Sequence, residues 1–312
     1  MSRLIAVTGS SGFIGRWLAR ELARRGHRVR GLSRRPDPAA SPAVEWVAGD
    51  LGSESALRSL VAGADVVVHA AGVVAAARDD EFARVNAEGT RALLDVLDET
   101  GSQAPFLFLS SLAAREPGVS PYAASKAEAE RVALARAGSR EILVVRPPAV
   151  YGPGDRATLP LWAQLVRGWL LAPRGAQRFS LLYVGDLAVL LADLVEGSWT
   201  GGAVLEPDDA APDFHDWPGA AATASRVLRS PVRLVRLPRA VFAAAAVASE
   251  GAARWLGGPP AIGRGKVAEM FQRDWCCRRS TMAGIAWRPA TAFDDGLAAT
   301  LAWYRDKGWA AV

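Results

Sequence analysis

Short apolar runs alternate with longer segments of helical period along the first half of the chain. The runs occupy residues 3–9, 27–33, 44–51, 64–72, 105–114 and 141–155. Apolar runs of this length are typical of strands buried on both faces, whereas the segment 82–97 repeats its apolar residues every three or four positions, as an amphipathic helix does. The alternation predicts a doubly wound α/β fold, with a parallel sheet and a ligand at the carboxyl ends of its strands.

The second half of the chain has fewer strand-like runs and is rich in Trp, Leu, Ala and Arg. We predict a first domain at 1–150, to which about 181–200 also contributes, and a smaller second lobe formed mainly by 151–312. Six tryptophans in this lobe or at its edge are expected to pack in a core, although together they would also allow an apolar pocket; they are Trp162, Trp169, Trp199, Trp217, Trp255 and Trp275. Four arginines could hold an anionic substrate group but are more typical of a solvated surface: Arg156, Arg167, Arg174 and Arg178.

The most apolar segment of this lobe is AVFAAAAVA at 240–248, which Glu250 and Arg254 follow. It is shorter than the roughly 18 apolar residues that a membrane-spanning helix needs. We interpret it as an amphipathic or buried helix rather than a membrane-surface helix, and we expect no stable membrane insertion. The N-terminus leads directly into a strand pattern, so no signal peptide is expected.

Composition narrows the function classes only modestly. Half of the 312 residues are hydrophobic and 22% are charged, which is ordinary for a protein with a full core. The net charge of +5 comes from dispersed arginines, so a nucleic-acid partner is not favoured. Cys276 and Cys277 are adjacent and unsuited to pairing with each other, which favours a reducing cytoplasm. The three histidines, His27, His69 and His215, have no metal-ligand spacing, and no metal site is predicted.

The first apolar run ends in a glycine-rich turn, TGSSGFIG, with Gly9, Gly12 and Gly15. A strand, this turn, a helix and a second strand follow one another within about 30 residues, which is the context of a dinucleotide-binding fingerprint. Gly9 permits the turn, Gly12 leaves room for a pyrophosphate at the helix N-terminus, and Gly15 allows close packing on the sheet. The first domain is therefore predicted to bind a dinucleotide, and the second lobe to bind the substrate.

The end of the second strand favours one dinucleotide over the other. An NAD enzyme usually carries an acidic residue there for the ribose 2′-hydroxyl. Here the chain has Ser33, Arg34 and Arg35, and guanidinium groups pair well with a phosphate. NADP(H) is favoured and NAD(H) remains possible, with two solvated loop arginines as the alternative interpretation.

Other strand ends carry small or polar residues that suit the same ligand. Asp50 follows the third run, where it could meet the adenine amino group. Ala70, Ala71 and Gly72 follow the fourth run and leave space for a ligand at the backbone. Further polar positions are Asn86 on the next helix, and Ser110 and Ser111 after the fifth run.

The segment SPYAASKAEAE at 120–130 holds Lys126, one of only three lysines among 37 basic residues. Tyr122 and Lys126 are four positions apart, so a helix would place them on one face. A phenol with a pKa near 10 is too weak an acid for work at neutral pH, and a neighbouring ammonium group favours its phenolate form. With a hydroxyl from Ser111 for a substrate oxygen, this set suits hydride transfer to or from a carbonyl. A surface Tyr–Lys pair is the alternative interpretation.

The segments TGSSGFIG, GDL, HAAG, VNAEGT, SS, YAASK and RPPAVYGPGD resemble, in order and spacing, the extended short-chain dehydrogenase/reductases, also called the NAD-dependent epimerase/dehydratase family. The resemblance covers nearly the whole chain and implies a Rossmann-type sheet. It implies a catalytic set of Ser111, Tyr122 and Lys126, with Ser110 in support and Asn86 positioning a water or a backbone kink. Ser110 and Ser111 adjoin, so only one of them can face the ligand, and the choice between them stays open. The implied cofactor contacts are Gly9, Ser11, Gly12, Phe13, Ile14, Gly15, Ser33, Arg34, Arg35, Asp50, Leu51, Ala70, Ala71, Gly72, Ser110, Tyr122, Lys126, Pro147 and Val150.

Departures from the family pattern bear on the branch of the family that the chain resembles. RPPAVYGPGD lacks the asparagine that sugar-nucleotide epimerases usually carry before this turn, and SSLAAREPG lacks the acidic pair of the dehydratases. The leading hypothesis is a cytoplasmic NADP(H)-dependent oxidoreductase acting on a small or apolar metabolite. The alternatives are a sugar-nucleotide epimerase or isomerase, and a non-catalytic NADPH-binding structural or assembly protein. By analogy, a homodimer could form through the helices at about 82–99 and 121–137, where Ala123, Ala127 and Ala133 would allow close contact.

Overall fold

The computed structural model describes residues 1–38, 41–199, 201–256 and 258–309. The chain forms two compact units. The first unit comprises Met1–Arg146 and Ala188–Leu205, and the second comprises Pro147–Leu187 and the described residues from Glu206 onward. The assignment of one unit to nucleotide binding and the other to substrate binding stays a prediction, since compactness alone does not identify a ligand.

The regular elements are numbered in chain order. The strands are β1 (Leu4–Thr8), β2 (Arg28–Ser33), β3 (Val44–Ala48), β4 (Val66–His69), β5 (Phe106–Leu109), β6 (Ile142–Val145), β7 (Ala149–Tyr151), β8 (Trp169–Pro173), β9 (Arg178–Phe179), β10 (Leu181–Tyr183), β11 (Ala203–Leu205), β12 (Arg233–Leu237) and β13 (Asp274–Trp275). The helices are α1 (Phe13–Arg24), α2 (Glu54–Val61), α3 (Asp79–Phe82), α4 (Gly89–Glu99), α5 (Pro121–Leu134), α6 (Leu159–Val166), α7 (Val184–Glu196), α8 (Trp217–Leu228), α9 (Arg239–Leu256), α10 (Arg264–Met270) and α11 (Phe293–Asp306). A π-helical turn, Ala83–Glu88, joins α3 to α4, and Leu112–Arg115 is a 3₁₀ turn.

Within the described ranges, the first unit is built on a seven-stranded sheet in the order β11-β6-β5-β4-β1-β2-β3, and every neighbouring pair is parallel. This confirms the predicted doubly wound sheet. The residues of β4 and β5 are buried throughout, as strands are when helices cover both faces of a sheet. The winding reverses between β1 and β4, and ligands of such folds bind at the carboxyl ends of the strands at this point.

Leucines and phenylalanines fill the core of the first unit. Helix α4 contributes Leu93 and Leu97, and β5 contributes Phe106 and Phe108, each with no exposed surface. Burial of each such side chain stabilises the fold by about 2 kcal/mol. Helix α5 packs against α4 through Ala129 and Ala133.

The small residues of α5 bear on the predicted homodimer. Ala123 and Ala133 have no exposed surface within this single chain. These two residues cannot contact a second chain, so the prediction is wrong for them, whereas Ala127 is half-buried. Dimerisation itself stays a prediction.

The second unit contains three parallel strand pairs, β7 with β10, β8 with β12 and β9 with β13. Its core is aromatic: the Tyr151 ring meets the Phe293 ring edge-on at 5.5 Å, and Trp162 is 3% exposed. Core packing was expected of every tryptophan in this lobe. That expectation is wrong for Trp169, which is 53% exposed, and for Trp255, which is 93% exposed.

The apolar segment 240–248 lies in α9, as the sequence predicts. Phe242 and Ala246 are buried, but Val241 and Val247 are exposed to solvent. The expectation of an ordinary amphipathic or buried helix is therefore only half right, because the opposite face is apolar too. In the described part of the chain, no helix has the length and apolar character required to cross a membrane.

Candidate active site

The loop between β1 and α1 forms a close-packed turn at the carboxyl edge of the sheet. Gly9 has a φ of +72°, and a Cβ there would lie 2.7 Å from the carbonyl group of Ala70. A Cβ at Gly15 would lie 2.1 Å from the Gly9 carbonyl oxygen. Gly12 is the N-cap residue of α1 and donates its N–H to that same oxygen at 2.9 Å. Because glycine has no side chain to cap the helix, the first turn of α1, which begins at the half-buried Phe13 and Ile14, suits an anion.

The end of β2 adjoins this glycine turn. The buried hydroxyl of Ser33 donates to Oγ of Ser11 at 3.4 Å and accepts from the backbone N–H of Arg35 at 3.2 Å. Arg34 and Arg35 are both exposed. Ser33 therefore fixes the start of the segment, and the two guanidinium groups are accessible to a ligand.

The end of β3 holds the predicted adenine contacts. Asp50 is exposed, and its Oδ1 accepts the backbone N–H of Gly52 at 2.9 Å. Leu51 packs on the first turn of α4, where a Cβ at Gly89 would lie 2.6 Å from Leu51 Cδ1. The turn is thus rigidly placed beside the sheet, while the Asp50 carboxylate still faces solvent.

A buried histidine network, which the sequence analysis did not identify, supports this edge. His69 ends β4, with Nδ1 2.6 Å from Thr8 Oγ1 and Nε2 2.9 Å from Thr90 Oγ1. Thr8 Oγ1 also accepts the N–H of Ala71 at 3.2 Å, and Thr90 Oγ1 donates to the carbonyl of Asn86. Both hydroxyls are satisfied when the imidazole proton is on Nε2. Burial, with the nearby Lys126 charge, lowers the pKa of His69 to about 3, so the ring is neutral. The one signal in the sequence is a histidine at the end of an otherwise apolar run.

The two serines after β5 have different environments. Ser110 is 6% exposed and donates to Oε1 of Glu130 at 2.5 Å. Ser111 is partly exposed, and its Oγ accepts the N–H of Ala113 at 3.2 Å as the N-cap of the 3₁₀ turn. The hydroxyl of Ser110 thus bonds to a buried carboxylate inside the unit, and that of Ser111 lies nearer the surface.

Lys126 is buried in the middle of α5 at 4% exposure. Its Nζ donates to the carbonyl of Leu109 at 2.9 Å and lies 4.5 Å from the centre of the Phe108 ring. Burial lowers the pKa of Lys126 to about 8, and the negative charge of Glu130 opposes this shift. A Cβ added to Gly72 would lie 3.9 Å from Nζ, so the ammonium group reaches the loop that follows β4.

Glu130, one helical turn after Lys126, is also buried. It forms a two-pronged ion pair with Arg146, with Nε–Oε1 and Nη2–Oε2 distances of 2.8 and 2.5 Å, and accepts the Ser110 hydroxyl. Buried charges are stable when they are paired and hydrogen-bonded in this way. Sequence reasoning missed Glu130 because nothing in the pattern indicates that Arg146 lies beside it.

Tyr122 and Asn86 belong to neighbouring parts of the site. Tyr122 lies in the first turn of α5, is half-buried, and its ring centre is 6.0 Å from that of Phe82. Asn86 lies in the π-helical turn; its Oδ1 accepts the N–H of Val73 at 2.8 Å and its Nδ2 donates to Ser125 Oγ at 2.9 Å. The amide therefore joins the loop after Gly72 to α5. Its implied role toward a water stays a prediction.

The remaining predicted residues lie in the second unit. Pro147 is buried and Val150 is half-buried. Arg174, with Gln177, Phe271 and Arg273, lines a cavity of about 440 Å³. Arg156, Arg167 and Arg178 are exposed, as a solvated surface predicts.

The edge of the first unit fits a dinucleotide. A glycine turn with no room for a Cβ at Gly9 or Gly15 and an anion-favouring helix N-terminus lie at the switch point, and the side chains of Asp50 and Lys126 lie along the same carboxyl edge of the sheet. The fit concerns the pyrophosphate, adenine and ribose positions.

Three comparisons with known proteins agree with this geometry. The sequence profile of the NAD-dependent epimerase/dehydratase family matches residues 5–198. A ceramide reductase from Caulobacter vibrioides is 36% identical over 98% of this chain and 96% of its own length. A 3-beta-hydroxysteroid dehydrogenase from Mycolicibacterium neoaurum is 28% identical over 67% of this chain and 66% of its own. The crystal structure of UDP-glucose 4-epimerase from Bifidobacterium longum in complex with NAD+ and UDP has a TM-score of 0.73 at 17% identity, covering 98% of this chain and 99% of its own, which shows a shared fold.

Proposed function

Because the chain belongs to the NAD-dependent epimerase/dehydratase family, we propose that it is an NADP(H)-dependent oxidoreductase that transfers hydride to a carbonyl, or from a secondary alcohol, of an apolar metabolite. One observation carries the proposal. A buried lysine lies one helical turn after a half-buried tyrosine, at the sheet edge that also carries the glycine turn. A leucine would pack in that buried position better than a lysine does, so packing alone does not explain Lys126.

The roles of the residues follow from their chemistry. A bound nicotinamide supplies the hydride for the carbonyl carbon. The Tyr122 phenol donates the proton to the carbonyl oxygen, and the Ser111 hydroxyl hydrogen-bonds the same oxygen. With its pKa lowered to about 8, Lys126 is still mainly protonated at neutral pH, and its positive charge favours the phenolate that proton donation leaves behind. The Glu130 carboxylate holds Lys126 in this charged state.

The NADP(H) preference rests on the end of β2. Arg34 and Arg35 are exposed next to Ser33, whose hydroxyl contacts Ser11 of the glycine turn. A 2′-phosphate there would meet two guanidinium groups. Arg34→Asp is expected to weaken NADPH binding by about tenfold or more, the equivalent of one charge-assisted hydrogen bond, and to affect NADH binding far less. Equal affinities of the unmodified protein for NADPH and NADH, measured by fluorescence titration, would contradict the preference.

The substrate class follows from two supporting facts. The relative that matches along almost the whole chain is named for ceramide and another for a steroid, both of which are largely apolar molecules. The turn before Tyr151 also lacks the asparagine of the sugar-nucleotide epimerases. We therefore include in the proposal a long-chain or polycyclic lipid whose ketone or alcohol is the reacting group.

The test is NADPH consumption by the purified protein with a ketone analogue of ceramide, a ketosteroid and UDP-glucose. The proposal expects turnover with at least one of the two lipid ketones and none with the nucleotide sugar. Interconversion of UDP-glucose with its epimer without net loss of NADPH would support the epimerase alternative instead. Tight NADPH binding with no turnover on any compound would support the non-catalytic alternative.

A further inference from the structure

Helix α9 of the second unit presents an apolar face to solvent. Val241, Ala244, Ala248, Ala252 and Trp255 recur every three or four residues, and all five are exposed. Trp255 is 93% exposed, Val247 beside the stripe is 60% exposed, and Leu256 is 85% exposed. Among the described residues of α9, this outward stripe holds no charged side chain.

The opposite face of α9 packs the helix into the second unit. Phe242 and Ala246 are buried against Val267 of α10, and the Phe242 ring meets Phe271 edge-on at 5.7 Å. The polar residue Glu250 also turns away from the stripe, since its carboxylate pairs with the Arg264 guanidinium at 2.9 Å. The helix is thus fixed by one apolar face while a second apolar face points outward.

The charge around the helix is mostly positive, although Glu250 pairs with Arg264 and Glu269 with Lys266. Between residues 229 and 267 the sequence has one acidic residue, Glu250, and seven basic ones: Arg229, Arg233, Arg236, Arg239, Arg254, Arg264 and Lys266. Arg239 and Arg254 are exposed near the two ends of α9. On the neighbouring strand pair, the exposed Trp169 lies in register with Arg233. Helices that lie in the plane of a membrane surface combine an apolar face, an exposed tryptophan and flanking basic residues in this way.

We propose that α9 docks on the surface of a lipid bilayer that contains anionic phospholipid, with the stripe in the acyl boundary and the flanking arginines at the head groups. Charge complementarity selects this occupant over a second copy of the chain. A symmetric dimer through α9 would bring the same arginines against each other. The inference extends the proposed function, because a lipid substrate is met at such a surface.

Flotation with large unilamellar vesicles tests the docking without cofactor or substrate. Vesicles of phosphatidylcholine and phosphatidylglycerol in equal parts are expected to carry the protein upward, and pure phosphatidylcholine vesicles much less. Trp255→Glu is expected to lower the partition coefficient by about tenfold or more, because it places a charge in the acyl boundary. Val74→Glu, at another exposed valine in the first unit, is the matched control and should leave partition unchanged.

A second pair of variants tests the electrostatic part. Arg254→Gln is expected to reduce partition into the anionic vesicles by about fivefold, and Arg20→Gln on α1 to leave it unchanged. The reduction in partition should become smaller as salt is added.

Equal flotation with both vesicle types, or normal flotation of Trp255→Glu, would overturn the proposal. No flotation together with a dimer that Trp255→Glu dissociates would assign the face to a second copy instead. Activity on detergent-dispersed substrate is measured separately, so a failure of docking is distinguishable from a failure of the proposed reaction.

Discussion

Helices α5 and α9 both depart from the ordinary amphipathic pattern, and they do so in opposite directions. Helix α5 buries the polar side chains of Ser125, Lys126 and Glu130. Helix α9 exposes Val241 and Trp255, which an ordinary surface helix would bury or replace. One helix places charge where water is excluded, and the other places apolar surface where water is present.

The difference lies in where each helix finds its partners. The charged groups of α5 are matched inside the first unit: Lys126 by the Leu109 carbonyl, and Glu130 by Arg146 and Ser110. The outward stripe of α9 gains hydrophobic free energy only when something outside the chain covers it, at roughly 25 cal/mol for each Å². The buried charges of α5 thus have their partners inside the unit, whereas the exposed apolar stripe of α9 has none within the described residues of its own helix.

The largest expected effect concerns Tyr122, the proposed proton donor near the start of α5. Tyr122→Phe removes the phenol hydroxyl and keeps the ring beside Phe82, so turnover is expected to fall by about 10²–10⁴. The affinity for NADPH should change little, because the phenol hydroxyl is not the main cofactor contact in the proposal. Steady-state kinetics and a binding titration on the same preparation measure both quantities. Retained turnover would mean that α5 buries its lysine for some other purpose.

Two adjacent positions of α9 test the other half of the comparison. Ala246 has no exposed surface and Val247 is 60% exposed. Ala246→Glu would bury an unpaired carboxylate and is expected to lower the free energy of unfolding by about 3–5 kcal/mol. Val247→Glu should change it by no more than about 0.5 kcal/mol. Urea denaturation of the two variants measures the contrast, and equal losses would show that Val247, beside the outward stripe, is in fact packed.

A smaller effect is expected at Glu130. Glu130→Gln keeps the shape but removes the charge that pairs with Arg146, and we expect a loss of about 2 kcal/mol in the free energy of unfolding. Glu128→Gln, two residues earlier, is the matched control, because the Glu128 side chain is 40% exposed and its pair with Arg131 is a surface pair worth less than about 1 kcal/mol. If the two variants lose the same stability, the buried network is not the stronger one.

The smallest effect is a pH dependence. Since the pKa of Lys126 is about 8, turnover should fall as the pH rises through that value and the ammonium group loses its proton. Stability should move the other way. Between pH 8 and the ordinary lysine pKa of 10.5 the unfolded chain binds more protons, so the contribution of Lys126 to the free energy of unfolding rises with pH. In Lys126→Met the rise should be absent. In Glu130→Gln the decline in turnover should begin at lower pH.

Much of the fold and of the family could be predicted from the sequence, because the relevant signals are local. Apolar runs fix the parallel strands, and Gly9 and Gly15 fix a turn in which a Cβ at either position would clash with the backbone. Tyr122 and Lys126 could be paired because helical spacing alone places them on one face. The confirmed predictions are the doubly wound sheet and the family.

What the sequence did not predict depends on contacts between distant segments. Glu130 pairs with Arg146, and His69 lies between two threonines. Both arrangements depend on strand order, which the local pattern does not encode. The π-helical turn that holds Asn86 adds a residue to a segment that otherwise has regular helical period. The orientation of α9 was half missed because an alanine-rich helix looks the same from both sides until its neighbours are known.

The division of the first unit into two stretches of chain has a consequence for how the protein is made. The unit comprises Met1–Arg146 and Ala188–Leu205, and β11 completes the sheet by pairing with β6. During synthesis, β6 therefore emerges from the ribosome about sixty residues before its outer neighbour and waits as an open edge, the kind of strand that invites wrong pairing. A chain that ends after residue 150 has an unfinished sheet, and the first unit is complete only once residue 205 has left the ribosome. The order in which the two stretches of the first unit are synthesised therefore affects the risk of misfolding.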